Sequence, residues 1–195
     1  VEPTAVAVHA CRQAELSSGM SLAVIGSGVI GMLVIQIAQA WGCSPIFAVD
    51  RISERLSLAS SLGADEVLNN RHANAVSAGR ELCTDGFDVV LDMVGREGTL
   101  VDAVALARRG GTIVPVALPH GSVAFNFEPL YRKELSIVGS RLYNGDFEQA
   151  LALIVSGDVD PNLIITHHFP LEDAGGAFSI LLEHPEQAIK VIVTP

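Results

Sequence analysis

Short apolar runs rich in β-branched residues alternate with helix-patterned stretches along almost the whole chain, and this alternation constrains the fold more than any other feature. It is the signature of βαβ units feeding a parallel sheet. Pro3 to Leu16 reads as an opening helix, with Ala5, Val8, Ala10 and Cys11 spaced along one face. Strands are expected at Leu22–Ile25, Ile46–Val49, Glu66–Leu68, Phe87–Leu91, Thr112–Leu118 and Leu135–Val138. Helices are expected from Val29 to Trp41, Ser53 to Leu62, Ala73 to Leu82, Thr99 to Ala107, Phe147 to Val155 and Ala174 to Leu182. The Ser53 hydroxyl is placed to cap its helix, and Gly63 ends it. An extended piece near Ile164-Ile165 and a last strand from Ile189 to Val193 complete the pattern. Pro115 has no N–H to give to a ladder, which argues against an unbroken strand through it. With no repeat, low-complexity tract or linker, residues 1–195 read as one domain.

Gly26-Ser27-Gly28-Val29-Ile30-Gly31 lies between the first strand and the helix after it, and Asp50 ends the second strand. Strand, glycine loop, helix and a later acid together are the fingerprint of a dinucleotide site. Gly26 permits the tight turn, Gly28 leaves room for a pyrophosphate against the backbone, and Gly31 lets the helix pack on the sheet. Val29 and Ile30 open the helix, whose unpaired N–H groups and dipole favour an anion. The fold class expected is therefore α/β: a Rossmann-type, doubly wound, six-stranded parallel sheet with helices on both faces. Asp50 is placed to accept hydrogen bonds from an adenosine ribose and to repel a 2'-phosphate, which favours NAD over NADP. Arg51 and Arg55 follow closely; either can counter the carboxylate or bind a 2'-phosphate, and Arg55 can equally pair with Asp50 or Glu54.

The net charge of -10 and a charged fraction of 17% argue against a nucleic-acid partner and suggest that part of the surface is normally covered. A hydrophobic fraction of 49% excludes a disordered chain. No segment has the roughly 20 apolar residues of a membrane span. Cys11, Cys43 and Cys83 are too few and too widely spaced for a disulfide framework or a zinc ribbon, which points to reduced thiols and a cytoplasmic location. The start at Val1-Glu2-Pro3, without an initiating Met, suggests a piece of a longer protein.

Glu2-Pro3, Val8-His9-Ala10, the glycine loop, Leu62-Gly63-Ala64-Asp65 and Phe87 to Gly95 resemble the zinc-dependent medium-chain dehydrogenases. The likeness continues through Gly110-Gly111-Thr112, Arg132-Lys133-Glu134-Leu135, Gly139-Ser140 and Phe169-Pro170-Leu171, and within the family is nearest the polyol branch of sorbitol, threonine and galactitol-phosphate type enzymes. The resemblance implies that Met93, Val94 and Gly95 lie along the cofactor, and that Val116, Ala117, Leu118, Gly139 and Ser140 flank the nicotinamide. For the apolar members of this set, plain core packing is an equal reading. It implies that Lys190 reaches the pyrophosphate, unless it is simply a cation at a strand edge. Arg141, Tyr143 and Asn144 would contact a polyol, and Glu2 would lie at a zinc or its bound water, with a solvated carboxylate as the plain alternative.

Such enzymes hold catalytic zinc in an N-terminal lobe, and no Gly-His-Glu segment or four-cysteine cluster occurs in this sequence. His9, His72, His120, His167, His168 and His184 have no ligand spacing with the cysteines, and the neighbours His167 and His168 would face opposite ways on a strand. The resemblance thus implies the cofactor-binding domain of an enzyme oxidising a secondary alcohol or polyol to a ketone with NAD. Zinc and the catalytic residues would sit outside this chain, and the last strand, about 188–194, would belong to the catalytic lobe in the full protein. A homodimer or tetramer through an edge strand is the expected assembly, by pairing of the fifth and sixth strands. Two rival readings are a zinc-free quinone or enoyl reductase and a non-catalytic NAD-responsive or dimerisation module.

Overall fold

β1 (Leu22–Ile25) is buried on both faces, and the sheet is assembled outward from it. In the computed structural model, which describes residues 1–118 and 121–195, β1 pairs in parallel with β2 (Ile46–Asp50) on one side and β4 (Phe87–Asp92) on the other. β3 (Glu66–Asn69), β5 (Ala107–Pro115) and β6 (Ser136–Ile137) complete a six-stranded sheet of order β3-β2-β1-β4-β5-β6. Crossing from β3 to β4 reverses the direction in which the sheet grows, so a crevice opens at the carboxyl ends of β1 and β4. This is the doubly wound, Rossmann-type sheet that the sequence pattern implies.

Period-two alternation sends successive side chains of one strand into two separate cores. Leu22, Val24, Ile46, Ala48, Val89 and Leu91 pack with residues of α1 (Glu2–Gln13), α2 (Val29–Ala40), α3 (Ser53–Ser61) and α7 (Phe147–Ser156). Ala23, Ile25, Phe47, Val49, Phe87 and Val90 pack with α4 (Ala75–Leu82), α5 (Glu97–Leu106) and α6 (Phe127–Lys133). On that second face Phe47 and Phe87 stack with centroids 5.7 Å apart. No helix among the described residues is long and apolar enough to cross a membrane.

Several expectations are corrected. Ile52, not Ser53, is the N-cap of α3; Ser53 Oγ instead accepts from Asn69 Nδ2 at 3.0 Å, because the Asp50 carboxylate already holds the chain entering the helix. α5 starts at Glu97 rather than Thr99, with Thr99 Oγ1 accepting from the Arg96 N–H at 3.0 Å. β5 begins at Ala107 and stops at Pro115, so Val116 to Leu118 leave the sheet where the proline ends its ladder. β5 lies between β4 and β6, which leaves only β6 free to pair at that edge. α6 was not foreseen, although Asn126 caps it by accepting from the Glu128 N–H at 3.0 Å and Pro129 falls in its first turn, where no N–H is needed. The expected extended piece near Ile164 is the start of β7 (Ile165–Pro170), which pairs with β8 (Lys190–Thr194) in a separate two-stranded sheet after α8 (Ala174–Glu183). His167 and His168 alternate in burial along β7, as neighbours on a strand do; His120 lies outside the described residues.

Two carboxylates fasten distant segments. Asp88 accepts from the N–H and hydroxyl of Ser21 and from Arg108 Nε, at 2.8, 2.7 and 2.6 Å. Asp146, fully buried before α7, accepts from the Asn144 N–H at 2.7 Å, from Arg12 Nη1 at 2.5 Å and pairs with His9 Nδ1 at 2.8 Å. Burial pushes the Asp146 carboxyl upward, but the Asn144 N–H, Arg12 and His9 together hold it below the ordinary value of 3.8. The stability it contributes is therefore present at neutral pH and is lost as pH falls below that value. Asp146→Asn is expected to cost about 2 kcal/mol at pH 7, the half-exposed Arg12 limiting the loss. In denaturant titrations across pH, the gap between variant and parent should close in acid.

Candidate functional site

Where β1 ends, the chain must turn sharply into α2 without leaving polar backbone groups stranded. Gly26 takes φ +101°, a conformation L side chains rarely adopt, and its N–H donates to the Val49 carbonyl at 2.7 Å. A Cβ at Gly31 would strike the Gly26 carbonyl oxygen, so α2 crosses the turn at a distance only glycine allows. Gly28, the N-cap of α2, has nothing within 4 Å of where a Cβ would stand. The three glycines thus divide as their spacing predicts: one bends, one packs, and one leaves its backbone open at the head of a 12-residue helix.

Asp50 fixes this loop. Its Oδ2 accepts from the Ser27 N–H at 2.7 Å, and its Oδ1 from the N–H groups of Arg51 and Ile52 at 2.6 and 3.0 Å. A second carboxylate, the buried Asp92 at the end of β4, shapes the neighbouring turn by accepting from the N–H groups of Val94 and Gly95 at 2.9 and 3.1 Å and from the Thr99 hydroxyl at 2.9 Å. Sequence reasoning missed the role of Asp92; an acid at a strand end with glycine three residues on was the available signal.

Three adjoining cavities line the carboxyl ends of the strands. The largest, about 830 Å³, is mainly apolar, with walls from Val6, Ile30, Met93, Val116, Ala117 and Leu118 and from Gly139, Ser140, Arg141 and Leu142. A second, of about 560 Å³, shares Met93 and Leu118 with it and adds Val94 and Gly95. The third, of about 550 Å³, is polar and lies over the end of β2, bounded by Gly26, Asp50, Arg51, Arg55, Val94 and Thr99. Asn70, Arg71, Arg96 and Asp102, unforeseen from sequence, also face it. Burial, then the nearby charge of Asp92, raises the Asp102 carboxyl above its ordinary value. Seven buried polar side-chain atoms have no partner among the described residues, and four of them, Ser27 Oγ, Arg55 Nε, Asn70 Oδ1 and Ser140 Oγ, belong to this loop and these walls. Buried polar groups are ordinarily hydrogen-bonded, so the residues present suit a ligand with an anion at Gly28 and polar and apolar ends on either side.

Not every expected residue joins the cleft or pairs as expected. Arg55 pairs with neither Asp50 nor Glu54; its Nη2 donates to the Pro185 carbonyl at 3.0 Å, because α3 carries it toward the chain preceding β8. Tyr143 packs its ring edge-on against Phe147 at 4.7 Å, and the Asn144 N–H turns to Asp146. Lys190 and Glu2 share a separate cavity of about 320 Å³ with Thr4, Val29 and Leu33. Cys11, Cys43 and Cys83 are free thiols, each pushed above its ordinary value mainly by burial.

A family model described as zinc-binding dehydrogenase matches residues 29–156. The chain belongs to that family. Over its whole length it is 29% identical to the sorbitol dehydrogenase of Bacillus subtilis (strain 168), of which it spans 56%. It thus covers about half the length of such relatives. Among solved structures it resembles an alcohol dehydrogenase from Escherichia coli CFT073 complexed with NADH (TM-score 0.91, 25% identity, 97% of this chain and 56% of that one). It resembles equally a zinc-binding dehydrogenase from Sinorhizobium meliloti 1021 bound to NADP (TM-score 0.92, 26% identity, 100% of this chain and 58% of that one). For the metal in the family's name, the described residues hold no group of three or more His, Cys, Asp or Glu able to bind an ion, and Glu2 stands exposed and alone at the start of α1.

The loop geometry is expected to depend on the negative Asp50 oxygens rather than on side-chain size. Asp50→Asn sets an amide NH₂ or a weaker acceptor against the three N–H groups, and should lower stability by about 1–3 kcal/mol in chemical denaturation. Asp65→Asn would be the control, because that carboxylate accepts a single N–H, from Ile46, away from the cleft; its loss should be smaller.

Proposed function

We propose that this chain is the cofactor-binding half of a zinc-dependent dehydrogenase that oxidises a secondary alcohol or polyol to a ketone with a nicotinamide dinucleotide. The observation that carries the reading is the open backbone at Gly28, placed at the head of α2 between a polar and an apolar cavity. In this reading the N–H groups of the first turn of α2 bind the pyrophosphate. Asp50 keeps one acceptor position for a ribose hydroxyl, since a carboxylate accepts about four hydrogen bonds and three are used. Met93, Val94 and Gly95 border the middle of the cofactor. Val116, Ala117, Leu118 and Gly139 exclude water from the nicotinamide end, and the unpartnered Ser140 hydroxyl offers it a hydrogen bond.

The bound cofactor supplies a carbon that accepts hydride, while the hydroxyl proton of the alcohol leaves separately. Arg141, on the wall of the large cavity, is the substrate contact best supported by its position; Tyr143 and Asn144 are placed to act only through that loop. Lys190 stands near the first turn of α2, sharing a cavity with Val29, and adds positive charge there. The polyol assignment draws on the likeness to sorbitol dehydrogenase. Pairing of two copies along β6 is supported by its exposed Ile137 and by the exposed side chains of Leu118, Phe127 and Tyr131 nearby in sequence. Three free thiols fit the reducing conditions of a cytoplasm.

Titration of this chain with NADH, followed by calorimetry, is expected to give saturable binding at one site per chain. With NAD+ in place of NADH, added zinc and sorbitol should produce no NADH. A chain that binds no dinucleotide overturns the cofactor assignment, and turnover above a zinc-free control overturns the assignment of catalysis to residues outside it.

A further inference from the structure

We propose that the buried Asp146 is a positioning residue for the apolar end of the cleft: it lines none of the large cavity, yet it ties together a strained loop and a helix that both line it. The proposal rests on the dinucleotide reading above and concerns only the nicotinamide end.

The loop is the segment from Gly139 to Leu142, between β6 and α7. Leu142 has φ +53°, in the left-handed region that L side chains rarely adopt, and its side chain is more than half exposed. Among the described residues two other non-glycine residues have positive φ, Glu15 and Glu134, and both follow helices whose ends they close. There the reversed chain satisfies a helix carbonyl: the Leu16 N–H reaches the Cys11 oxygen at 3.0 Å, and the Leu135 N–H the Leu130 oxygen at 3.1 Å. Leu142 closes no helix. A non-glycine residue stays in such a conformation only where its surroundings over-determine it.

The chain on either side supplies the constraint. Upstream, the Ser140 N–H donates to the Pro115 carbonyl at 3.2 Å, which fixes the loop to the end of β5. Downstream, the Asn144 N–H donates to Asp146 Oδ2 at 2.7 Å. Asp146 is held in turn by α1, where Arg12 Nη1 donates to Oδ1 and His9 Nδ1 lies 2.8 Å from Oδ2. Gln13 Nε2 lies 3.3 Å from His9 Nε2, which suits a ring that carries its proton on Nδ1, facing the carboxylate. Val6, one turn before His9 on the same helix, is the α1 residue in the cavity wall. One carboxylate thus sets the loop and the helix against each other, and the space between them is the end of the cleft read above as the nicotinamide site.

The test is calorimetry of the chain and its variants with NADH and with ADP-ribose, which keeps the adenosine and the pyrophosphate and lacks the nicotinamide. In the parent NADH should bind at least about tenfold more tightly than ADP-ribose, and in Asp146→Ala that advantage should fall to about threefold or less while ADP-ribose binds as before. An acid that serves stability alone would move both ligands together or neither. Should Asp146→Ala not fold, as judged by its melting curve, Asn144→Pro takes its place: it removes the loop's donor, leaves the acid its partners on α1, and should bring the same fall. In a Leu142→Gly background, where glycine takes positive φ without strain, losing the same tie should lower the NADH-to-ADP-ribose ratio by less than about twofold. A ratio that keeps its parental value in the folded variant overturns the proposal and leaves the dinucleotide reading standing, and so does an equal fall with and without Leu142→Gly. NADH binding no tighter than ADP-ribose in the parent also overturns it, because no nicotinamide contact is then left to position. If neither ligand binds the parent, both readings fall.

Discussion

Three backbone N–H groups converge on the Asp50 carboxylate, and the geometry of the cleft depends on them. One comes from the loop that leaves β1 and two from the segment that leaves β2, so a single side chain ties together two neighbouring strand ends, of which β1 borders the switch in sheet direction. Without that tie Gly26 would be free to leave its positive φ, and the head of α2 would lose its aim. Asp92 repeats the device one strand over, holding the turn that carries Val94 and Gly95. Charged side chains at strand ends thus act here first as acceptors for a bent backbone, and the cavities follow from the bends.

The sheet was legible in the sequence because its strands are buried on both faces. Leu22–Ile25 and Ile46–Val49 read as unbroken apolar runs and Phe87–Leu91 as one interrupted only by Asp88, and each run sits where the pattern places it. The glycine loop was legible for a different reason, since its three glycines have separate steric duties that no other residue performs. The parts that were misread lie where local pattern and tertiary contact disagree. α6 has few apolar residues and a proline, and it is secured from outside its own segment: Lys133 Nζ donates to the carbonyls of Val104, Ala105 and Ala107 at 2.8 to 3.0 Å, closing the end of α5. Nothing in the spacing of residues 127–133 announces that contact.

The site was half legible. Residues reached through motif and strand-end position, such as Asp50, Met93 and Gly139, stand on the cavity walls. Those that arrive from loops with no motif, such as Asn70, Arg71 and Arg96, were invisible, because only the ordering of β3, β2, β1 and β4 brings them to one pocket. Arg55 shows the converse: sequence proximity to Asp50 suggested a pair, and the direction of α3 carried the guanidinium to the Pro185 carbonyl instead.

The wall opposite the strand ends has its own history along the chain. Val6 of α1 lines the large cavity, and α1 is fastened to the buried Asp146 through His9 and Arg12, more than 130 residues away in sequence. Contacts of such separation close late, because the chain between them must first be ordered. α1 packs against α2 and the sheet, but its tie to Asp146 waits until the segment before α7 has left the ribosome. The tie through Asp146 therefore closes only after every residue lining the large cavity has been made, so a nascent chain that stops between residues 142 and 146 carries all the cavity walls while α1 still lacks that fastening.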